Sequence, residues 1–386
     1  MEPPDYDAAL GRLAEAPPTE LVSLLEAVLE PLEARDVGLY LSDFQGIVLQ
    51  PLPGEAFDEK ESEDVAGSMA GRAYRTGSPV VAHRDDGVRV WVPLLERSER
   101  TGVLAMTVPT DTDDVVGHCL AVAQFAGLIV RGFARTTDLV HLHRRRKSMT
   151  LAAGMQWDLL PPLTIRSQRA LACGRLEPAY EIAGDAFDYA LNEAHLHAGL
   201  FDGMGHGVHS TLMTTLAVGA YRHARRSDSP LSVMHAEIDE AIAAHYGGDA
   251  FVTSAMARLD LAEGAVEWST AGHPAPLLLR NRTVVRRLSC VPSLPLGLGG
   301  ECREVAVEQL EPGDCLLIFT DGVVEGRSAT SDEEFGVARL AERLEHHAAS
   351  DQPADEILRQ LIEDVMEHSD HHLRDDASLM LVRWLG

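Results

Sequence analysis

The chain has 386 residues, 45% hydrophobic and 24% charged, enough apolar material for two or three packed domains and too much for a disordered tail. With 60 Asp and Glu against 33 Lys and Arg, the formal charge of -27 argues against an extended nucleic-acid surface, because a phosphate backbone needs concentrated positive charge. Cys119, Cys173, Cys290, Cys302 and Cys315 are scattered, without the close pairs of a thiolate metal site or a disulfide framework, so a reducing cytoplasm is expected. The longest apolar run, Cys119 to Val130, falls short of the roughly 20 residues that span a bilayer. The N-terminus lacks the basic-then-apolar order of a signal peptide, and neither a membrane nor nucleic acid is expected as a partner.

After a Pro-rich, acidic start, Leu21, Leu24, Leu25, Val28, Leu29 and Leu32 recur at helical spacing and predict a helix over 21–36, with Pro31 near its end. VGLYLSD and GIVLQPL follow as short strands parted by Asp43 and Gly46, then a small helix near SMAGRAYRTGSPVV. The runs VRVWVPLLE and TGVLAMTVP, joined by RSER, predict an antiparallel hairpin, and Cys119 to Phe133 a helix packed across the sheet. This order resembles a GAF domain. The resemblance implies a sensor or dimerisation unit over 1–135, open to a small-molecule or protein signal.

From Thr136 to Leu160 there is no strand signal, and Pro161 and Pro162 stop what precedes them, so 136–160 is predicted as a helical linker. Leu139, Leu142, Met149, Ala153 and Leu160 follow a three-four spacing that suits a seam between two copies, interrupted by Arg146 and Gln156. The basic run Arg144 to Lys147 suits either a polyanion or, more simply, a solvated helix face.

Beyond it, FDYAL, HLHAGLFD, FVTSAMARLD, AVEWSTAG, APLLLR, CLLIFTD and SLMLVRW are predicted strands, and 210–226, 231–245, 334–346 and 354–368 predicted helices. Turn signals at Asn192-Glu193 and Glu263-Gly264 favour antiparallel pairing, and strands packed on helices make an α+β sandwich the natural architecture.

Asp185 in AGDAFDY, Asp202 in GLFDGMGHG and Asp321 in IFTDGVVEG each stand beside glycine at the edge of an apolar strand, and Asp375 and Asp376 precede a fourth. One such acid is most simply a turn former. Several buried together repel one another unless cations neutralise them. Oxygen donors without thiolate suit Mg²⁺ or Mn²⁺, and a pair of such ions is common equipment for hydrolysing phosphate esters. At Gly203 the missing side chain would let the backbone carbonyl approach an ion.

With WDLLPP, AGDAFDY, DGMGHG, STAGHPAPLL, SLPLGLG, GDCLLIFTDGVVE and DDASLMLV in this order from about Asp158 to Gly386, the chain resembles the PPM (type 2C) metal-dependent Ser/Thr protein phosphatases, in their bacterial SpoIIE and RsbU-like branch. The resemblance implies an α-β-β-α sandwich over 161–386. It implies two Mn²⁺ or Mg²⁺ ions, with Asp202 bridging, the Gly203 carbonyl as a further ligand, Asp185 on one ion and Asp321 with Asp375 on the other. Asp376 is the reserve for the last place. Water held between the ions would attack phosphorus in line, without a phosphoenzyme. The implied substrate is a phosphorylated STAS anti-anti-sigma protein in a partner-switching stress response, acted on by a cytoplasmic homodimer regulated through its N-terminal domain.

Two features depart from the family pattern: Met204 stands where relatives place a histidine, and the phosphate-gripping arginine has no match, Tyr180 standing nearby. His206 could donate a proton, although a glycine-loop histidine is usually an exposed polar residue, and His273 is expected to secure a turn. The competing readings are a catalytically silent phosphatase-like scaffold and a metal-dependent hydrolase of small phosphoesters. The absence of a P-loop or a Rossmann fingerprint lowers nucleotide chemistry.

Overall fold

The computed structural model describes residues 17–52, 61–96, 98–181, 184–300, 304–328, 332–350 and 352–386, so the N-terminal acidic stretch up to residue 16 and Cys302 lie outside it. The chain divides into two units between Ser148 and Met149.

In the N-terminal unit, α1 (Leu21–Leu29) passes into a 3-10 turn at Glu30–Leu32 instead of continuing to residue 36. Pro31 removes a backbone donor and Glu33 takes a left-handed conformation, φ 52°, so the chain leaves the helix and Arg35 opens a strand. Next come β1 (Arg35–Ser42), β2 (Val48–Pro51), β3 (Glu63–Asp64), α2 (Met69–Thr76), β4 (Val80–Arg84), β5 (Gly87–Glu96), β6 (Glu99–Val108), α3 (Asp113–Ala134) and α4 (Leu139–His143). The strands make one antiparallel sheet, β3-β2-β1-β6-β5-β4, in which β5 and β6 form the hairpin anticipated from their alternation. Period-two alternation sorts their side chains between two cores. Leu39, Leu41, Val90, Val92, Leu104 and Met106 pack with α1 and α3, whereas Tyr40, Trp91, Val103 and Ala105 meet Ala70, Ala73 and Tyr74 of α2.

By length and composition the 22-residue α3 could cross a membrane, a longer apolar helix than the Cys119–Val130 run suggested. Its Val115, Cys119, Val122, Ala126 and Val130 are buried in the core it shares with the sheet.

The single linker helix predicted over 136–160 does not form: α4 ends at His143 and the next helix begins at Leu151. Tertiary contacts divert the basic run between them. Arg144 stacks over the Phe44 ring at 4.7 Å and donates to the Ser42 carbonyl at 2.9 Å, while Arg146 pairs with the buried Asp43 at 2.9 Å. Asp43 also accepts the backbone N–H groups of Ile47 and Val48, so these two arginines grip the β1–β2 turn. A continuous helical seam through this region is thereby interrupted.

The C-terminal unit begins with α5 (Leu151–Leu159), capped by Thr150. It continues with β7 (Thr164–Arg166), β8 (Ala170–Glu177), β9 (Asp185–Leu191), β10 (His195–Gly203), α6 (Val208–Arg226), α7 (Leu231–Tyr246), β11 (Val252–Asp260) and β12 (Ala265–Ala271). The remainder is β13 (Leu277–Arg280), β14 (Thr283–Arg287), β15 (Ala306–Gln309), β16 (Cys315–Phe319), α8 (Asp321–Val324), α9 (Gly336–Ala349), α10 (Ala354–His368) and β17 (Ala377–Trp384). Two antiparallel sheets result, β15-β12-β11-β10-β9 and β14-β13-β16-β17-β8-β7.

Alternation again assigns the layers. Met380 and Val382 of β17 pack with Leu200, Leu259 and Trp268 of the opposite sheet, whereas Leu379 and Leu381 pack with Leu340, Leu344, Leu358 and Leu361 of α9 and α10. On the far side, Phe201 and Met256 meet Met213, Tyr221 and Ile238 of α6 and α7. The unit is therefore a four-layer α-β-β-α sandwich. Strands covered on both faces are buried throughout: β16 is apolar at every residue, and β8 is buried at every residue although it carries Arg175 and Glu177. Truncating one of the fully buried aromatic side chains here, Phe187 or Phe319, to Ala would cost about 3–5 kcal/mol.

Candidate active site

The same alternation places the acids. Phe187 of β9 and Leu200 of β10 face the inter-sheet core, and one further repeat along each strand brings Asp185 and Asp202 to that face, where they are register partners. Thr320, just past β16, and Asp376, just before β17, share the parity of the inward Ile318 and Met380. At this end of the sandwich the apolar core gives way to carboxylates from widely separated segments.

A buried hydrogen-bond network fixes them. Asp376 Oδ2 accepts the Asp185 backbone N–H at 3.1 Å and the Gln156 side-chain amide at 3.0 Å, and that amide also donates to the Asp185 carbonyl at 2.7 Å. Thr320 donates its hydroxyl to Asp185 Oδ2 at 2.9 Å and accepts the Ser378 N–H at 2.9 Å. On the next strand, Thr253 donates to Asp202 Oδ2 at 3.2 Å and contacts His273 Nδ1 at 2.8 Å. The Gly203 carbonyl accepts the Ser210 hydroxyl at 2.7 Å, and a Cβ on Gly203 would sit 2.6 Å from Thr214 Oγ1, so the approach of α6 requires glycine there.

Burial and mutual repulsion raise the proton affinity of these acids. Burial first, then the Asp202 and Asp376 charges, pushes Asp185 well above the usual carboxylate range. Burial, then Asp321 and Asp375, raises Asp202 to about 8. Asp376 rises to about 7, again through burial, with the donated Asp185 N–H pulling the other way. Asp375 is raised by partial desolvation, opposed by the Asp376 N–H that its Oδ1 accepts at 2.9 Å. Asp321 sits at the start of α8, within electrostatic reach of both Asp202 and Asp375.

Among the described residues, no three His, Cys, Asp or Glu side chains converge as a preformed metal cage would. The acids instead act on one another through their charges, Asp202 feeling Asp321, Asp375 and Asp376. That suits hard octahedral cations, which keep several waters and take only one or two carboxylates each. The donor set is all oxygen, and the buried Asp376 Oδ1 has no hydrogen-bond partner. The residues therefore fit divalent cations better than they fit an empty acidic pocket.

The positions where the sequence departs from the family pattern, and the two histidines weighed beside them, are placed as follows. Tyr180 is buried in packed protein and cannot grip a phosphate. Met204 is half-exposed, and His206 is exposed with its charge felt at Asp375. His273 is buried, held neutral by desolvation that lowers it to about 3, and bonded to a side chain on a neighbouring strand rather than to a turn. Sequence reasoning missed Gln156, Thr253, Thr320 and Glu325. Glu325, one turn past Asp321, is raised by burial and by the Asp321 charge, and its place in TDGVVEG was the one available signal. Thr253 becomes visible only once Asp202 and Thr253 are paired in register.

Two sheets enclosed by helix pairs, with oxygen-rich acids gathered at one end between the sheets, define a PP2C-type phosphatase domain. The profile of the family described as Stage II sporulation protein E (SpoIIE) matches residues 192–385, and the chain belongs to that family. Its C-terminal unit is accordingly a protein phosphatase domain, a hydrolase. Phosphoserine phosphatase RsbU of Bacillus subtilis is 21% identical over 240 residues, covering 62% of this chain and 70% of the relative. Phosphoserine phosphatase RsbP of the same organism is 26% identical over 211 residues, covering 52% and 49%. Among solved structures, the SiaA-PP2C domain of Pseudomonas aeruginosa superposes with TM-score 0.51 at 21% identity, over 60% of this chain and 94% of that one. The RsbU and RsbW domains of Rv1364c from Mycobacterium tuberculosis give TM-score 0.50 at 24% identity, over 57% and 62%.

Proposed function

We propose that the protein is a divalent-metal-dependent phosphatase acting on phosphoserine or phosphothreonine of a protein substrate. The observation that carries this reading is the gathering of acids from separate segments at one end of the sandwich: Asp202 is the register partner of Asp185, Asp376 accepts the Asp185 N–H, and the Asp321 and Asp375 charges act on Asp202. Asp202, Asp185 and the Gly203 carbonyl would hold one Mn²⁺ or Mg²⁺, and Asp202, Asp321 and Asp375 a second. Bound there, the ions would activate water for in-line attack and offset charge on the phosphoryl oxygens. Asp376 is an organiser through Oδ2, which holds Asp185 and Gln156, and its unpartnered Oδ1 keeps it the reserve ligand beside Asp375. Thr320 orients Asp185, and Thr253 orients Asp202.

The substrate is a phosphorylated STAS anti-anti-sigma protein in a partner-switching pathway of the stress-response kind, a reading supported by the similarity to RsbU and RsbP. The protein works in the cytoplasm as a homodimer. Its N-terminal unit is a GAF-like regulatory domain over 1–135, and the phosphatase proposed over 161–386 also takes in α5 from the stretch 136–160 first read as linker, because Gln156 of that helix bonds Asp185 and Asp376. The sheet covered by α1 and α3 on one face and α2 on the other supports the GAF-like reading.

Phosphate release from a serine-phosphorylated STAS protein, followed with the full chain and with a form lacking residues 1–135, tests this. Mn²⁺-dependent release at different rates from the two forms is expected. No release from any phosphorylated STAS protein overturns the substrate assignment, and identical kinetics overturn the regulation.

A further inference from the structure

The proposal here rests on the reading of Asp202 as a metal ligand. Thr253 lies directly across from Asp202 in the β10–β11 register and on the same inward face, so its hydroxyl meets the carboxylate side by side. The same hydroxyl touches His273 Nδ1, on the segment that leaves β12 through Gly272 at φ 62°. A hydroxyl has one proton. The Thr253 hydroxyl donates to Asp202 Oδ2, so its contact with the imidazole is attractive only if His273 Nδ1 carries a hydrogen and donates it to Thr253 Oγ1. His273 Nε2 makes no hydrogen bond among the described residues, and the Phe319 backbone beside the ring raises the proton affinity of the imidazole.

We propose that Thr253 and His273 are positioning residues for the metal site: His273, in its Nδ1–H form, fixes the Thr253 hydroxyl, and Thr253 in turn holds Asp202 Oδ2 in place for the divalent cation that Asp202 would bind. The chain Nδ1–H to Oγ1 to Oδ2 is directional, so each contact specifies the next. Rotation of Thr253 would break both contacts together. Such outer partners commonly govern metal affinity as strongly as they govern turnover.

Mn²⁺ binding to the full chain, measured by calorimetry, tests the proposal. Thr253→Val, which keeps the shape and removes the hydroxyl, is expected to weaken binding by about 10–100-fold, and Thr253→Ser to restore it to within about threefold of wild type. A merely structural role would not give rescue by serine over the nearly isosteric valine. Thr253→Val binding as tightly as wild type, or Thr253→Ser failing to rescue, overturns the proposal. Asp202→Asn serves as reference: if it also binds Mn²⁺ as wild type does, the metal reading of Asp202 fails rather than the relay alone. Should Thr253→Val not fold, ¹⁵N spectra of Mg²⁺-saturated wild type decide, with hydrogen on His273 Nδ1 supporting the relay and hydrogen on Nε2 overturning it.

Discussion

Asp376 accepts the backbone N–H of Asp185 at 3.1 Å, joining residues 191 positions apart in the chain. The contact ties the start of β9 to the entry of β17, and Gln156 closes it from α5. Two neighbouring acids thereby acquire different tasks, Asp376 inward and Asp375 outward toward Asp202 and Asp321.

Substitutions separate those tasks. Asp376→Asn keeps an acceptor for the Asp185 N–H and is expected to retain Mn²⁺ binding, whereas Asp376→Ala strands a buried donor and should cost about 1–3 kcal/mol of stability. Asp375→Ala should unfold at the wild-type midpoint and lose one bound ion. Denaturant titration with calorimetric counting of Mn²⁺ checks all three, and loss of an ion in Asp376→Asn would reassign the ligand to Asp376.

The raised acids make the metal-free fold sensitive to pH. Asp202 near 8 and Asp376 near 7 bind protons more tightly folded than unfolded, so their stabilising contribution is fully present below about pH 3.8 and is lost as pH rises through about 7–8. In chelator, Tm should fall between pH 6 and 9, and Asp202→Asn should flatten that slope and raise Tm by about 5 °C at the alkaline end. Added Mn²⁺ should stabilise wild type more at alkaline than at acidic pH. Calorimetric scans across this range check the sign, and a metal-free Tm that rises toward pH 9 would contradict it.

Gly322 follows Asp321 where α8 passes against β17, and a Cβ there would overlap the Asp376 carbonyl oxygen. Because that neighbour is backbone, it cannot swing aside. Gly322→Ala is expected to destabilise the unit by about 1–3 kcal/mol and to weaken Mn²⁺ binding through displacement of Asp321 and Asp376. Urea unfolding and metal titration of this variant measure both effects.

Asp188 of β9 is buried between Arg222 and Arg225 of α6, at 2.8 and 2.7 Å, and Arg222 also donates to the Leu159 carbonyl at the end of α5 at 2.7 Å. Asp188→Ala leaves Arg225, only 8% exposed, without its counter-charge. A loss of about 3–5 kcal/mol is expected, as for other buried pairs broken on one side. Chemical unfolding of wild type and variant tests this.

The layers were legible in sequence because sandwiched strands are near-continuous apolar runs and their helices keep helical spacing; FDYAL, CLLIFTD and SLMLVRW became β9, β16 and β17. ALACGRLE, which became β8, was overlooked because its arginine and glycine break the apolar pattern. The acids stood out through their glycine neighbours. Their supports did not, since Gln156, Thr253 and Thr320 act across strand pairings and long sequence separations that no local pattern encodes. The break in the linker helix has the same origin: Arg144 and Arg146 are drawn to a turn about a hundred residues earlier.

The central claim is that acids from separate segments jointly hold divalent ions that support phosphate hydrolysis. Hydrolysis of p-nitrophenyl phosphate by the full chain, with and without Mn²⁺, and by Asp202→Ala measures it most directly. Activity that requires Mn²⁺ and falls by at least about a hundredfold in Asp202→Ala is the predicted result. Undiminished activity in chelator, or in Asp202→Ala, would contradict it.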